Sequence, residues 1–344
     1  MSEYYDGTKL LSLKDIDGNR PEIYFCTTNR TAGKTTYFGR LAVNRFLDRE
    51  EKFGLIYRYK YELADVADKF FKDIGCLFFD GHIMTAKIKG NGTFAELFLD
   101  EKSCGYALTL NSVDQIKKYS HFFSDIKRLI FDEFQSETNH YCNNEIQKFI
   151  SLHTSIARGH GEQSRYVPVY MLSNAVSVIN PYFVELGISK RLDDKTKFLR
   201  GKGYVLEQGN IETASTAQKN SGFNKAFSSN KYVAYSSENI YLNDNKSFIE
   251  NVEGRNRYLC TLKYEGKNYA VREYPDMGII YCSDKADESY PTKISVTTED
   301  HNINYVMLRN NDFFISNLRF LFEKGCFRFK DLKCKEVILN VLRY

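Results

Sequence analysis

Ten residues, Thr27-Thr28-Asn29-Arg30-Thr31-Ala32-Gly33-Lys34-Thr35-Thr36, have the types and spacing to hold a nucleoside triphosphate. They follow the apolar run Ile23-Tyr24-Phe25-Cys26 and precede a helix-like stretch, Tyr37 to Arg49. A strand, a tight loop ending Gly-Lys-Thr and a helix make a phosphate-binding loop, because backbone N–H groups and the helix N-terminus converge on anionic oxygens. In that reading Lys34 reaches the β- and γ-phosphates and the Thr35 hydroxyl ligates Mg2+. The usual pattern, G-x-x-x-x-G-K-[ST], has glycine where this chain has Thr28. Threonine restricts positive φ, so the geometry at that end of the loop is in question.

A second segment supplies the carboxylates that a phosphate loop needs. Arg128-Leu129-Ile130-Phe131-Asp132-Glu133-Phe134 is an apolar strand ending in two adjacent acids. Asp132 is placed to hold the Mg2+ shell and Glu133 to polarise an attacking water. Alone, it also fits a strand that ends in an acidic turn. A third segment, Val169-Tyr170-Met171-Leu172-Ser173-Asn174-Ala175, ends another apolar strand in a small polar pair. There Asn174 senses the γ-phosphate or positions the lytic water, or it is a turn-forming asparagine. The phosphate loop and the acidic pair together, in the right order and both at strand ends, point to ATP hydrolysis, since ligands of open α/β sheets bind at the carboxyl ends of strands.

The elements that must carry these groups alternate from about residue 20 to 185. Strands are expected at Glu22–Thr27, Gly54–Tyr59, Cys76–Phe79, Tyr106–Leu110, Leu129–Phe131 and Val167–Ser173, with helices at Tyr61–Ile74 and Asn144–Ala157. Several of the strands lack polar alternation, as strands buried on both faces do. This is the pattern of a parallel α/β sheet. Tyr106–Leu110 is the candidate for an extra strand between the phosphate-loop strand and the acidic strand.

After residue 190 the character changes. Arg191 to Ser229 is rich in Lys, Asp, Gly, Asn and Ser, and reads as an irregular connecting subdomain. Short strands follow at Tyr232–Tyr235, Tyr258–Tyr264, Asn268–Glu273 and Gly278–Tyr281, with a hairpin turn at Glu265-Gly266-Lys267. Helices are expected at Asp312–Lys324 and Asp331–Leu342. The division is therefore 1–190 for an ATPase domain, 191–229 for a connector and 230–344 for a smaller α+β domain.

Composition bounds the reading. With 344 residues, 42% hydrophobic and 27% charged, the chain is globular and long enough for two domains. No apolar run nears the ~18 residues that span a bilayer, and the N-terminus lacks a signal-peptide core, so an intracellular protein is expected. The 8 cysteines form no C-x-x-C pair and read as buried free thiols. A net charge of +4 permits a polyanionic partner without demanding one.

Four segments in one chain, in order, carry a family resemblance. They are Asn29 to Thr35, Ile56-Tyr57-Arg58-Tyr59-Lys60-Tyr61-Glu62-Leu63, Leu129 to Phe134, and Leu172-Ser173-Asn174-Ala175-Val176-Ser177-Val178-Ile179-Asn180-Pro181-Tyr182-Phe183. The chain resembles the DNA-packaging ATPases of φ29-type short-tailed phages, compact relatives of the large terminase subunits. The resemblance is clear over about residues 20–185 and weaker afterwards.

It implies a P-loop NTPase core of the additional-strand, catalytic-glutamate type. In such a core the loop from Arg30, Thr31, Ala32 and Gly33 through Lys34, Thr35 and Thr36 binds ATP, and Thr35 and Asp132 hold Mg2+. Glu133 matches the catalytic glutamate, and Ser173-Asn174-Ala175 the motif coupling hydrolysis to movement. Arg30 matches an arginine within the loop that contacts phosphate or resets the loop. Arg158 falls where the family carries a trans-acting arginine finger, with Arg165 the alternative, and Lys118 resembles a second trans-acting basic residue. Arg58 and Lys60 face DNA or nucleotide, or only solvent.

The family's C-terminal domain is an RNase H-like nuclease fold that has lost its cutting activity. Between 230 and 344 no convincing cluster of carboxylates stands out, Asp284 and Asp287 being the nearest, and Arg255, Arg257, Lys263 and Lys267 can touch phosphates. The implied function is a motor moving double-stranded DNA into a prohead, working as a ring, a pentamer in the family, against the portal. It acts in the host cytoplasm and is absent from the mature virion, and some members need a packaging RNA. The competing readings are a terminase with an active nuclease, another ring ATPase or helicase, and a nucleotide-binding scaffold without activity.

Overall fold

The computed structural model describes residues 4–138, 140–159, 161–178, 180–189, 191–192, 196–228, 230, 233, 248–308 and 312–342. The chain divides into two compact units, Met1–Asn243 and Asp244–Tyr344. In the first unit a short helix α1 (Thr8–Ser12) precedes β1 (Ile23–Thr27), α2 (Lys34–Arg49), β2 (Lys52–Tyr57) and α3 (Val66–Phe78). A hairpin of β3 (Met84–Lys89) and β4 (Phe94–Leu99) leads to β5 (Lys102–Thr109), α4 (Val113–Ile116) and β6 (Ile126–Asp132). Then come α5 (Glu145–Ile156), β7 (Val169–Ser173), α6 (Pro181–Glu185), β8 (Phe198–Gly201), β9 (Tyr204–Gln208), α7 (Glu212–Asn220) and α8 (Gly222–Ala226).

Nine strands form one sheet in the order β3-β4-β5-β2-β6-β7-β1-β9-β8. From β5 to β9 all neighbours run parallel, and the pairs β3/β4, β4/β5 and β8/β9 are antiparallel. Strand β1 shows why the sequence lacked polar alternation. Phe25 faces one core with Phe131, Phe134 and Phe183, while Tyr24 and Cys26 face the other with Phe38 and Leu172. Both faces are covered, so both must be apolar. Burying a side chain of Phe25's size contributes about 1.5–3 kcal/mol.

The strand lying between β1 and β6 is β7, not the expected Tyr106–Leu110, which belongs to β5 on the far side of β2. Chain order gave no means of choosing, because sheet order is set by crossovers. The expected strand Cys76–Phe79 is instead the end of α3, whose buried Val66, Ala67, Phe71, Ile74 and Gly75 repeat at helical spacing. Cys76 is exposed on that helix, unlike the six buried cysteines 26, 104, 142, 260, 282 and 334.

The stretch expected to be an irregular connector carries two strands of the main sheet. Gly201 pairs with Tyr204, so Lys202-Gly203 is a hairpin turn, and Ile23 to Thr27 pair along Tyr204 to Gln208. The glycine of that stretch serves a turn and not a linker: Gly203 has φ +72°.

The second unit builds a five-stranded sheet from β10 (Arg257–Tyr264), β11 (Lys267–Tyr274), β12 (Ile279–Ser283), β13 (Lys293–Ser295) and β14 (Phe327–Phe329), in the order β13-β10-β11-β12-β14. Helices α9 (Phe313–Glu323) and α10 (Leu332–Leu342) complete it, with Leu318, Val337 and Ile338 in its core. Glu265-Gly266 is the expected hairpin turn, both residues at positive φ. Of the expected strand Tyr232–Tyr235, only Val233 is among the described residues.

Candidate nucleotide-hydrolysis site

The loop between β1 and α2 lies at the carboxyl edge of the parallel strands. Gly33 caps α2 with φ +91°, and Thr31 has φ +60°. A side chain at Gly33 would be strained there, which explains that glycine. Thr28 is not among the residues of positive φ. It is fully buried, its N–H donates to Ser173 O at 3.3 Å, and its hydroxyl donates to Asn29 O at 3.1 Å. This loop begins as a continuation of the β1–β7 ladder, and in that backbone a β-branched residue is at home.

Lys34 is the first residue of α2 and is 8% exposed. Its Nζ donates to Asn174 Oδ1 at 2.7 Å. Burial lowers its pKa, with the Asp132 charge opposing that shift. Thr35 Oγ1 donates to Asp132 Oδ2 at 2.7 Å, and Asp132 Oδ1 accepts from the Glu133 N–H at 2.9 Å. Loop, acidic strand end and Asn174 thus converge from β1, β6 and β7, three adjacent strands.

Glu133 takes φ +55°, an uncommon conformation for a side-chain-bearing residue. Such strain gathers at functional sites. Its side chain reaches solvent, yet its pKa is raised, first by desolvation and then by the charges of Asp132 and Glu137. Arg30 ion-pairs with Glu137, which turns it from the loop toward the chain following β6.

The side chains that hold this geometry escaped the sequence. Arg58, expected to face DNA, nucleotide or solvent, is 7% exposed. It sits just beyond β2, with Nε 3.1 and 3.0 Å from the two Glu145 carboxylate oxygens, and it donates to the carbonyls of Glu133 and Phe134. Tyr182 O–H and Cys142 N–H also donate to Glu145. Asn29, fully buried, accepts from Ile211 N–H at 2.9 Å and donates to Ile211 O at 3.2 Å. The Tyr5 N–H donates to Ala32 O at 2.8 Å, and its hydroxyl donates to the buried Glu207 at 2.7 Å. No local pattern marks these residues, because their partners lie far along the chain.

The two finger candidates separate clearly. Arg158 is exposed just after α5, its Nε donating to Thr154 O at 3.2 Å. Arg165 is 8% exposed, with Nη2 2.7 Å from Ile156 O and Nη1 3.4 Å from Ile126 O, so it closes the end of α5. Lys118 is exposed in the 3-10 segment Lys117–Phe123.

The residues present fit a magnesium nucleotide. Thr35 and Asp132 offer hard oxygen donors beside a buried ammonium and a helix N-terminus, the set that Mg2+ and phosphate require. Fold and site together define a P-loop nucleotide-binding domain with an acidic pair at the end of β6 and an asparagine just past β7.

The chain belongs to the podovirus DNA encapsidation protein (Gp16) family, whose model matches residues 1–344. It is 27% identical over 346 residues to the DNA packaging protein of Bacillus phage phi29, across 99% of this chain and 98% of that protein. The bacteriophage phi29 viral genome packaging motor assembly shares the fold, with TM-score 0.60, 24% identity, and coverage of 99% of this chain and 97% of that one. The Phi-28 gp11 DNA packaging motor does so as well, with TM-score 0.62, 16% identity, and coverage of 100% and 99%.

Proposed function

We propose that this protein is an ATP-hydrolysing motor that drives double-stranded viral DNA into a prohead, working as a ring whose sites are completed by a neighbouring subunit. The observation that carries this reading is the convergence of Lys34, Asn174, Thr35 and Asp132 through two 2.7 Å hydrogen bonds, with Glu133 at their edge. The loop N–H groups and Lys34 hold the phosphates. Thr35 and Asp132 hold Mg2+, which when bound offsets charge on the phosphate oxygens. Glu133 takes the proton of the attacking water. Asn174, already bonded to Lys34, reports the phosphate state to the chain that follows β7.

Arg158 supplies the trans guanidinium, which offsets charge developing in the transition state. Its exposure favours it over Arg165, which is committed to backbone carbonyls. Lys118, exposed as well, assists from the neighbour. The C-terminal unit acts as a degenerate RNase H-like domain that touches DNA without cutting it. In support, Asp284 is ion-paired with Lys330, and Asp287 accepts from the N–H and O–H of Ser289, so both carboxylates are engaged locally. Among the basic candidates, Arg257 pairs with Glu273 at 2.6 Å, and Lys263 lies over the Tyr305 ring. The partners are the portal and prohead in the host cytoplasm, with a packaging RNA where the phage uses one.

Phosphate release measured with DNA and empty proheads tests the reading. Stimulation by both together is expected, and Lys34→Ala should abolish it. Packaging retained by Lys34→Ala would overturn the mechanism, and cleavage of plasmid DNA would favour an active terminase nuclease instead.

A further inference from the structure

Gln135 is two residues beyond Glu133 and is 2% exposed. Its Oε1 accepts from Val176 N–H at 3.1 Å and from Ser177 N–H at 2.8 Å. Two backbone donors facing one atom fix that atom as the oxygen of the carboxamide. The ladder between β6 and β7 ends with Asp132 opposite Leu172, and one further bond, Phe134 N–H to Leu172 O at 3.2 Å, follows it. Beyond that point the two chains separate, and the carboxamide takes over where backbone pairing stops.

The separation occurs at the chemistry. Glu133 lies on one side of the gap and Asn174 on the other. Asn174 O accepts from the same Val176 N–H at 3.0 Å, while its side chain holds Lys34. The chain Glu133-Phe134-Gln135 is therefore tied through Val176 to Asn174 and through Asn174 to Lys34. Groups of this kind need their relative positions fixed closely, because a misplacement of about 1 Å can cost about 100-fold in rate.

We propose that Gln135 is a positioning residue for hydrolysis, holding the water-activating Glu133 in register with the phosphate-facing Asn174. This rests on the ATPase reading above. The phosphate loop itself has its own supports in Tyr5 and Asn29, so Gln135 governs the hydrolytic step and not nucleotide affinity.

Gln135→Met keeps the length and removes the acceptor. ATPase kcat should fall about 10-fold or more, while KM and the affinity for a fluorescent ATP analogue stay within about twofold. If Gln135→Met fails to fold, Gln135→Asn withdraws the acceptor by one methylene and should show the same split. Combined with Asn174→Ala, the Gln135→Met loss should be less than multiplicative, because both act through one loop. Wild-type kcat in Met and Asn variants, loss in affinity instead of kcat, or multiplicative losses would overturn the proposal. Absence of ATPase in the wild-type protein with DNA and proheads would instead overturn the functional reading, so the two failures are distinguishable.

Discussion

Arg58 and Glu145 form a buried ion pair, Nε to Oε2 at 3.0 Å, directly behind the peptide that carries Glu133. Nη1 and Nη2 of the guanidinium donate to the Glu133 and Phe134 carbonyls, and the carboxylate accepts from Tyr182 and Cys142. Every polar atom of the pair has a use, the condition under which a buried pair is tolerated.

Removing one partner strands the other. Arg58→Met should lower stability by about 3–5 kcal/mol, the usual cost of an uncompensated buried charge. Urea denaturation reads this directly. Arg58→Met with Glu145→Met should recover part of the loss, since no lone charge remains. A surface-sized effect, below about 0.5 kcal/mol, would mean that the pair is solvated.

The raised pKa of Glu133 sets a pH dependence. The base must be ionised, so hydrolysis should fall as pH drops through a value above the ordinary 4.5 of glutamate. For stability the sign is opposite. A carboxyl raised in the folded state favours the protonated form. Its contribution is present below the unfolded pKa and is lost as pH rises through the folded one. Glu133→Gln mimics the protonated form. It should abolish turnover yet raise the melting temperature at pH 7, with no gain at pH 4. Equal melting at both pH values would refute the electrostatic account.

Arg158 and Arg165 should fail differently. Arg158→Ala should leave the melting temperature unchanged and reduce motor ATPase by about 1,000-fold or more in rings made only of the variant. Mixing it with a Lys34→Ala subunit, which lacks its own site but offers an intact finger, should restore part of the activity. Arg165→Ala should cost about 1–3 kcal/mol of stability by leaving the Ile156 and Ile126 carbonyls without their donor. Thermal unfolding and mixed-ring ATPase assays separate the two.

Thr28 offers a direct check on the loop. Because its backbone does not need positive φ, Thr28→Gly should bring no gain in ATP affinity. It should cost about 0.5–1 kcal/mol through added freedom of the unfolded chain. Tighter ATP binding by the glycine variant would show that threonine distorts the loop.

The sequence by itself determined where the polar runs near strand ends lie and their order along the chain. Gly33-Lys34-Thr35, Asp132-Glu133 and Ser173-Asn174 were legible because each is a short polar run after an apolar strand, and both signals are local. Local spacing likewise marked Tyr37 to Arg49 and the Glu265-Gly266 turn. Sheet order, burial and pairing were decided only by the tertiary structure. Nothing near Val169–Ser173 says that it inserts between β1 and β6, and nothing near Cys76 says that its apolar run closes a helix. Arg58 and Arg165 read as free cations because charge is written in the sequence while desolvation is not. Glu145 comes within reach of Arg58 only when distant strands and helices have packed, and the Ile156 carbonyl meets Arg165 only where the chain folds back on the end of α5. Arg158 stayed exposed, and that difference between two arginines seven residues apart is a product of the fold alone.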